Sequence, residues 1–377
     1  MQEELYLKHI DTMFGTKNMD SFTKDEVDET LENLLQCIPN NGKLYKYRKI
    51  NDEKSFNFVY RSLLNGTIWS SRVDQFPDKT DCTIYYDPVQ EAKRIEKLFV
   101  ENPELILGAM MRGISNEVVK INPSFDRSML LRMVDCFDKD SGIIITSKAL
   151  RVFRDYGCDH NESLKAIRQI QNYVSETIKE KEPIIKQTVE NFLKFNEKIR
   201  HIAFVCSLCE DYKVKTMWEH YAANDGICIE YDYKKLKTMT YREKRFFCST
   251  YKVIYTDNYE ECTFIPLIKE YLEGKHLKST NTELNKKFLL STITKTNDYA
   301  YEKEWRTFHF NLHDSEKGIE MKANLVSGII FDENAFKSER GKQILALAKQ
   351  RNWEIKIRKL NMTSTGYQYL LLDDYMR

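Results

Sequence analysis

The chain has 377 residues, with 58 Lys and Arg against 57 Asp and Glu, for a formal charge of +1. That balance excludes a protein that coats duplex DNA by bulk electrostatics, while leaving room for a local patch. Its 22 Tyr and 20 Phe exclude an extended disordered chain, and the length allows one large domain or two ordinary ones.

Residues 1–43 read as an N-terminal helical extension. Met1–Ile10 carries acids and no long apolar core, so it is not read as a signal peptide. Val27, Leu31, Leu34 and Leu35 fall at helical spacing after Ser21–Glu26, and Pro39-Asn40-Asn41-Gly42 supplies turn chemistry. Leu44–Arg48 predicts a first strand, Asp52–Leu64 a helix, and Thr67–Ser71 a second strand after the Asn65-Gly66 turn. Phe76–Cys82 is a polar loop. From about 88 to 200 the pattern turns helical, over Glu91–Val100, Glu104–Lys120, Ser128–Asp138 and Asn161–Arg200, with Pro183 breaking the last. This block is expected as a helical insertion within an α+β core spanning 44–372.

Past the block, Ile202–Ser207, Ile227–Tyr231 and Lys252–Tyr255 read as strands. A short helix carries Met217–Tyr221, and helical patterns cover Phe264–Tyr271 and Glu283–Lys295. The last unit is strand–helix–strand, from Gly328–Phe331 through Ala335–Gln350 to Trp353–Lys359, closed by Tyr367–Leu372. Short apolar strands around a helical block predict an α+β fold with a mixed or antiparallel sheet.

Nine cysteines are scattered without a framework, and no run reaches the length of a membrane span. The expectation is a reduced, cytoplasmic protein with free thiols and no membrane association. Cys206-Ser207-Leu208-Cys209 is one CxxC without two further ligands at zinc spacing, so it reads as buried strand and no metal is expected.

The most informative stretch is Asp298–Phe310. Beyond Glu302 it alternates as a strand, with Glu302, Glu304, Arg306, Phe308 and Phe310 on one face and Lys303, Trp305, Thr307 and His309 on the other. Carboxylates at that spacing, roughly 7 Å apart, need a cation, a proton or a substrate to relieve them. One reading is a solvated edge bridged by Arg306; the other is a catalytic carboxylate with a neighbour that orients substrate.

Several pieces together resemble a large uncharacterised bacterial family, domain of unknown function 2971. They are Lys46-Tyr47-Arg48, Phe76-Pro77-Asp78, Cys206-Ser207, Met217-Trp218-Glu219-His220-Tyr221, Gly226-Ile227-Cys228-Ile229 and Glu302-Lys303-Glu304-Trp305-Arg306. Pro77 and Lys79 depart from the loop usual in that family.

A second, weaker likeness is to the ADP-ribosyltransferase fold of the arginine–serine–glutamate class, through Arg48, then Ser70-Ser71, then Glu302-x-Glu304. That likeness implies NAD as substrate, with no metal. Glu304 would be the catalytic carboxylate and Glu302 its partner that orients the acceptor. Arg48, Ser70, Ser71, Tyr47 and Trp69 would bind the nucleotide. The residues also have structural readings: Arg48 as a bridge to the glutamates, Ser70-Ser71 as a strand end, Trp218 and Tyr221 as core, His220 as a surface residue.

Three functions follow as expectations. The first is an NAD-using transferase, toxin or phage-defence effector with a protein or nucleic-acid acceptor. The second is a non-catalytic nucleotide- or partner-binding module, with a partner protein encoded in a defence operon. The third is a metal-dependent nuclease on Glu302, Glu304, Asp78 and Asp81, which lacks the lysine such a strand normally carries, since Lys303 points the other way. Oligomeric state is open.

Overall fold

The computed structural model describes all residues except 1, 14–21, 103–104, 106–107, 109–125, 139–142, 180–181, 260, 273–281, 311–316, 361–365 and 377. The fold is α+β, built on a mixed, mostly antiparallel sheet. Its strands are β1 (Lys43–Arg48), β2 (Thr67–Arg72), β3 (Phe137–Asp138), β4 (Ile143–Ile144), β5 (Ala203–Cys209), β6 (Ile227–Asp232) and β7 (Thr250–Lys252). There follow β8 (Ile254–Tyr255), β9 (Thr294–Lys295), β10 (Glu304–Phe310), β11 (Gly318–Lys322), β12 (Val326–Asp332), β13 (Glu354–Leu360) and β14 (Tyr367–Leu371).

The chain divides into two compact units. One holds 1–84, 197–260 and 285–377; the other holds 85–196 and 261–284. The N-terminal 43 residues thus belong to the first unit. Tyr6 donates its hydroxyl to the Lys252 carbonyl at 2.8 Å, and Lys244 pairs with Asp28 at 2.6 Å.

The second unit covers most of the helical block 88–200 and also takes in 261–284. A buried carboxylate explains the addition: Glu91 accepts from the Thr263 hydroxyl at 2.9 Å and from the Phe264 N–H, while Arg94 reaches it at 3.1 Å. Its described helices include Pro88–Glu101, Thr146–Asp155, His160–Lys179, Glu182–Leu193 and Ile265–Leu272. Pro183 sits in the first turn of Glu182–Leu193, where its missing N–H costs nothing. The helix expected over Glu104–Lys120 lies largely outside the described residues. Among the described residues no helix is long and apolar enough to cross a membrane.

In the first unit, ten strands among the described residues form one sheet. The order runs β11-β2-β5-β1-β6-β12-β13-β14, with β10 on β5 and β7 on β10. The sheet forks at β5. One edge of β5 pairs with β10 along its length, while the other is shared, Phe204 and Val205 with β2 and Cys209 with β1. Lys46 fills the fork, donating to the Ser207 carbonyl at 2.9 Å and lying 3.1 Å from Cys206 Sγ. The parallel pair β12 with β13 is joined through helices Glu333–Lys337 and Glu339–Gln350, as the strand–helix–strand pattern predicts. The short strand β11 has no counterpart among the elements read from sequence.

Register fixes the faces. Tyr45 and Glu304 both pair with Cys209, so the three side chains share one face. That face carries Tyr45, Tyr47, Cys209, Cys228 and Ile330, covered by Trp218 of the short helix Lys215–Tyr221. The opposite face carries Lys46, Arg48, Cys206, Trp305 and Thr307. Cys206 and Cys209 are therefore buried on opposite sides of one strand, and all nine cysteines are free thiols.

Gly226 opens β6 where the chain crosses the end of β1. A Cβ there would sit against the carbonyl oxygens of Arg48 and Ala222, both backbone atoms with no rotamer to yield. This accounts for the glycine of the G-x-C-I motif. Gly226→Ala is expected to destabilise the protein by about 1–3 kcal/mol, read from urea unfolding followed by circular dichroism. An unchanged midpoint would mean that the crossing is looser than described.

Candidate functional site

The expected strand over Asp298–Phe310 begins later than its alternation suggests. Asn297–Glu302 is a 3-10 helix, Lys303 turns the chain with φ of 45°, and β10 starts at Glu304. Glu302 therefore precedes the strand and does not belong to its alternating face, yet the turn still brings its carboxylate beside that of Glu304.

Arg306 is the centre of the arrangement, and it is wholly buried. Its Nε and Nη2 grip the two oxygens of Glu304 at 2.9 Å each. Nη2 also donates to Asp81 at 2.8 Å, and Nη1 donates to the Thr292 carbonyl at 2.9 Å and to Cys82 Sγ at 3.0 Å. A guanidinium has five N–H donors, and all five are engaged. Arg200 holds the loop that delivers Asp81, donating to the carbonyls of Asp81 and Val73 and to the Thr83 hydroxyl. Asp78, three residues earlier in that loop, caps its own turn by accepting from Thr80.

Lys295, at the end of β9, lies between the carboxylates. Its Nζ is 2.7 Å from Glu302, 3.5 Å from Glu304 and 3.8 Å from Asp81, and 4.4 Å above the Tyr299 ring. Tyr221 donates its hydroxyl to the other oxygen of Glu302 at 2.8 Å. The Glu304 backbone N–H donates to the Tyr255 hydroxyl at 2.8 Å.

The two glutamates are electrostatically opposite. Burial opposes ionisation of Glu304, but the Arg306 guanidinium and its hydrogen bonds, with Lys295, overcome it and hold the carboxyl at about 2. Glu302 lacks a guanidinium. Burial and the Glu304 charge raise it above the ordinary glutamate range, against the pull of Lys295 and Tyr221. Divergent neighbours of this kind mark one carboxylate as a fixed charge and the other as the group that exchanges a proton. Three carboxylates face two cations in the cluster, Asp81, Glu302 and Glu304 against Lys295 and Arg306. Fully ionised, the cluster holds an excess negative charge that a proton or a cationic group would relieve.

The nucleotide-binding residues expected from sequence are not gathered here. Arg48 lies on the opposite face from Glu304, its guanidinium 5.9 Å from the Phe58 ring, and bridges neither glutamate. Ser70 is buried on that same far face, with its hydroxyl unpartnered. Ser71 shares the face of Glu304 but pairs with Val205, four residues along β5 from Cys209, or about 13 Å. Its hydroxyl accepts from the Trp69 indole at 3.1 Å, and Trp69 packs edge-on to Phe58. Tyr47 lies on the right face but is buried, its ring against Trp218 and its hydroxyl on the Asp211 carbonyl. The reason is parity: in a strand, odd and even residues part to opposite faces, and chain order does not say which face is shared.

Tyr221 corrects its core reading. It is 47% exposed, while Trp218 on the same helix is fully buried. His220 is exposed, with its ring edge-on to Tyr301 at 6.3 Å. The lysine missing from the strand for a nuclease site is supplied by Lys295. It stands, however, where a metal would sit between the carboxylates, and Asp78 is turned to its own loop. Among the described residues no group of three or more His, Cys, Asp or Glu is placed to hold a metal ion.

Residues 217–307 match a family described as Protein of unknown function (DUF2971). The resemblance read from the motifs holds over that span, which opens at Met217 of M-W-x-x-Y and closes one residue beyond Arg306 of E-x-E-W-R. No curated protein and no solved structure matches the chain significantly. The two motifs that bound the match touch through the Tyr221–Glu302 hydrogen bond.

Glu304→Gln leaves a buried guanidinium short of its charge partner and is expected to cost roughly 3–5 kcal/mol at neutral pH. A depressed carboxyl stabilises the fold above its unfolded pKa, and that contribution is lost as pH falls toward about 2. The gap between wild type and variant should therefore close in acid. Glu302→Gln should cost only about 1 kcal/mol, because ionised Glu302 is the disfavoured form. Urea titrations from acid to neutral pH test both, and equal costs for the two variants would contradict the asymmetry.

Proposed function

We propose that the chain acts on the nicotinamide glycosidic bond of NAD, with Glu302 as general base and Glu304 as fixed anion. The observation that carries this reading is the pair of neighbouring carboxylates with opposed ionisation, one held by a fully engaged arginine and one free to exchange a proton. The excess negative charge of the cluster favours a cationic group, and the nicotinamide ring of NAD is a cation. Tyr221 and Tyr299 supply aromatic surface beside it, suited to a charged ring.

The chemistry balances without a metal. The ribose C1′–nitrogen bond breaks, and nicotinamide leaves neutral with the electron pair. The positive charge moves to the ribose, where the Glu304 carboxylate stabilises it. Water, or a hydroxyl of a protein or nucleic-acid acceptor, adds to C1′ and gives its proton to Glu302. Tyr221, half exposed over Glu302, must swing aside to admit substrate. Consumption of NAD would suit a toxin or phage-defence effector. Arg48 and Ser70, on the opposite face of the sheet, have no part in this scheme.

Nicotinamide release from NAD by purified protein is the direct test. Glu302→Gln is expected to lose a hundredfold or more in kcat with the fold retained. Tyr221→Phe removes a hydrogen bond that favours ionised Glu302, so the carboxyl rises and the acid limb of kcat/KM moves to higher pH. A well-folded wild-type protein that releases no nicotinamide, alone or with lysate as acceptor source, would overturn the reading.

A further inference from the structure

At the N-terminal end of the Lys215–Tyr221 helix, the end away from Tyr221, the same sheet face bears a second feature. A cavity of about 490 Å³ is lined by Tyr212, Lys213, Lys215, Tyr367, Gln368 and Tyr369. That volume falls in the range of small-ligand pockets, though this one is walled by tyrosines and lysines and not by aliphatic side chains.

Arg358 lies behind the wall, 1% exposed. It pairs with Tyr369 across β13 and β14, so both project from one face. Its guanidinium is 3.4 Å from the Tyr367 ring and 4.8 Å from the Trp218 ring. Nη1 donates to Asp332 at 2.7 Å, and the guanidinium also interacts with the Tyr369 side chain beside it. Stacked on both rings, the guanidinium fixes Tyr367 as one wall of the cavity.

The other charges nearby are largely spoken for. Lys356 pairs with Glu354 at 2.7 Å and Asp211 with Lys303 at 3.3 Å. Lys215 makes only an exposed pair with Glu219 at 3.6 Å, which holds it weakly. Among the described residues Lys213 has no carboxylate partner, and it rests 5.4 Å from the Tyr212 ring. The cavity thus offers two ammonium groups at its mouth and aromatic walls backed by a buried guanidinium.

We propose that this cavity binds a nucleoside monophosphate, its base stacked on Tyr367 or Tyr212 and its phosphate held by Lys213 and Lys215. Stacking and charge are both required: a sugar would not use the cations, and a bare anion would not use the rings. The site is separate from Glu302 and stands whether or not NAD is cleaved.

The test is calorimetric titration of the full chain with AMP, GMP, CMP and UMP, and with adenosine, inorganic phosphate and a 5′-phosphorylated oligonucleotide. At least one monophosphate should bind, with adenosine and inorganic phosphate at least tenfold weaker. Lys213→Glu and Tyr367→Ala, both at exposed positions, should each weaken binding tenfold or more, while Glu302→Gln should leave it unchanged. The proposal is overturned if no monophosphate binds up to about 1 mM, a ceiling of roughly −4 kcal/mol. It is overturned equally if both cavity variants bind as wild type does, if inorganic phosphate binds as well as the nucleotide, or if the oligonucleotide binds more tightly than every free nucleotide.

Discussion

The first unit depends on one demand, that of a guanidinium buried without water. Arg306 is fully buried on β10, between β5 and β7, where an unpaired cation would be prohibitively costly. Its five donors draw in Glu304 from its own strand, Asp81 and Cys82 from the loop after β2, and the Thr292 carbonyl ahead of β9. Three segments distant in sequence are thereby held in one place. Lys295, three residues past Thr292, then falls between the carboxylates as a consequence of that anchoring.

The asymmetry of the two glutamates follows from the same demand. A guanidinium gripping both oxygens of Glu304 keeps that carboxylate ionised, and its charge in turn discourages ionisation of Glu302. The left-handed Lys303 is what permits this. It takes Glu302 out of the strand's alternation and into reach of Lys295 and Tyr221. Motifs that look separate in sequence prove to be parts of one assembly: Lys46 ties the K-Y-R strand to Cys206-Ser207, Gly226 lets β6 pass β1, and Tyr221 meets Glu302.

Much of the fold was legible because it rests on local pattern. The strands around Tyr45, Ile68, Phe204, Ile229 and Ile330, the final strand–helix–strand unit and the burial of Trp218 all follow from periodicity and apolar runs. The E-x-E-W-R stretch was legible as a site for charge, but not the division of labour within it, which rests on one residue's φ. Asp81 and Lys295 lie more than two hundred residues apart, and nothing in their neighbourhoods marks them as partners. Arg48 and Ser70 misled because they were matched by order along the chain. The even-numbered residues of β1 face away from Glu304, while Tyr45 and Tyr47 face toward it.

The central claim is that Glu302 and Glu304 differ in charge because of what holds each. Carbon-13 NMR of side-chain carboxyls, assigned with Glu302→Gln and Glu304→Gln, reads that difference directly across a pH titration. The account predicts one resonance titrating above the ordinary glutamate range, lost in the Glu302 variant, and one still ionised near pH 3, lost in the Glu304 variant. Two carboxyls titrating together near about 4.3 would contradict it.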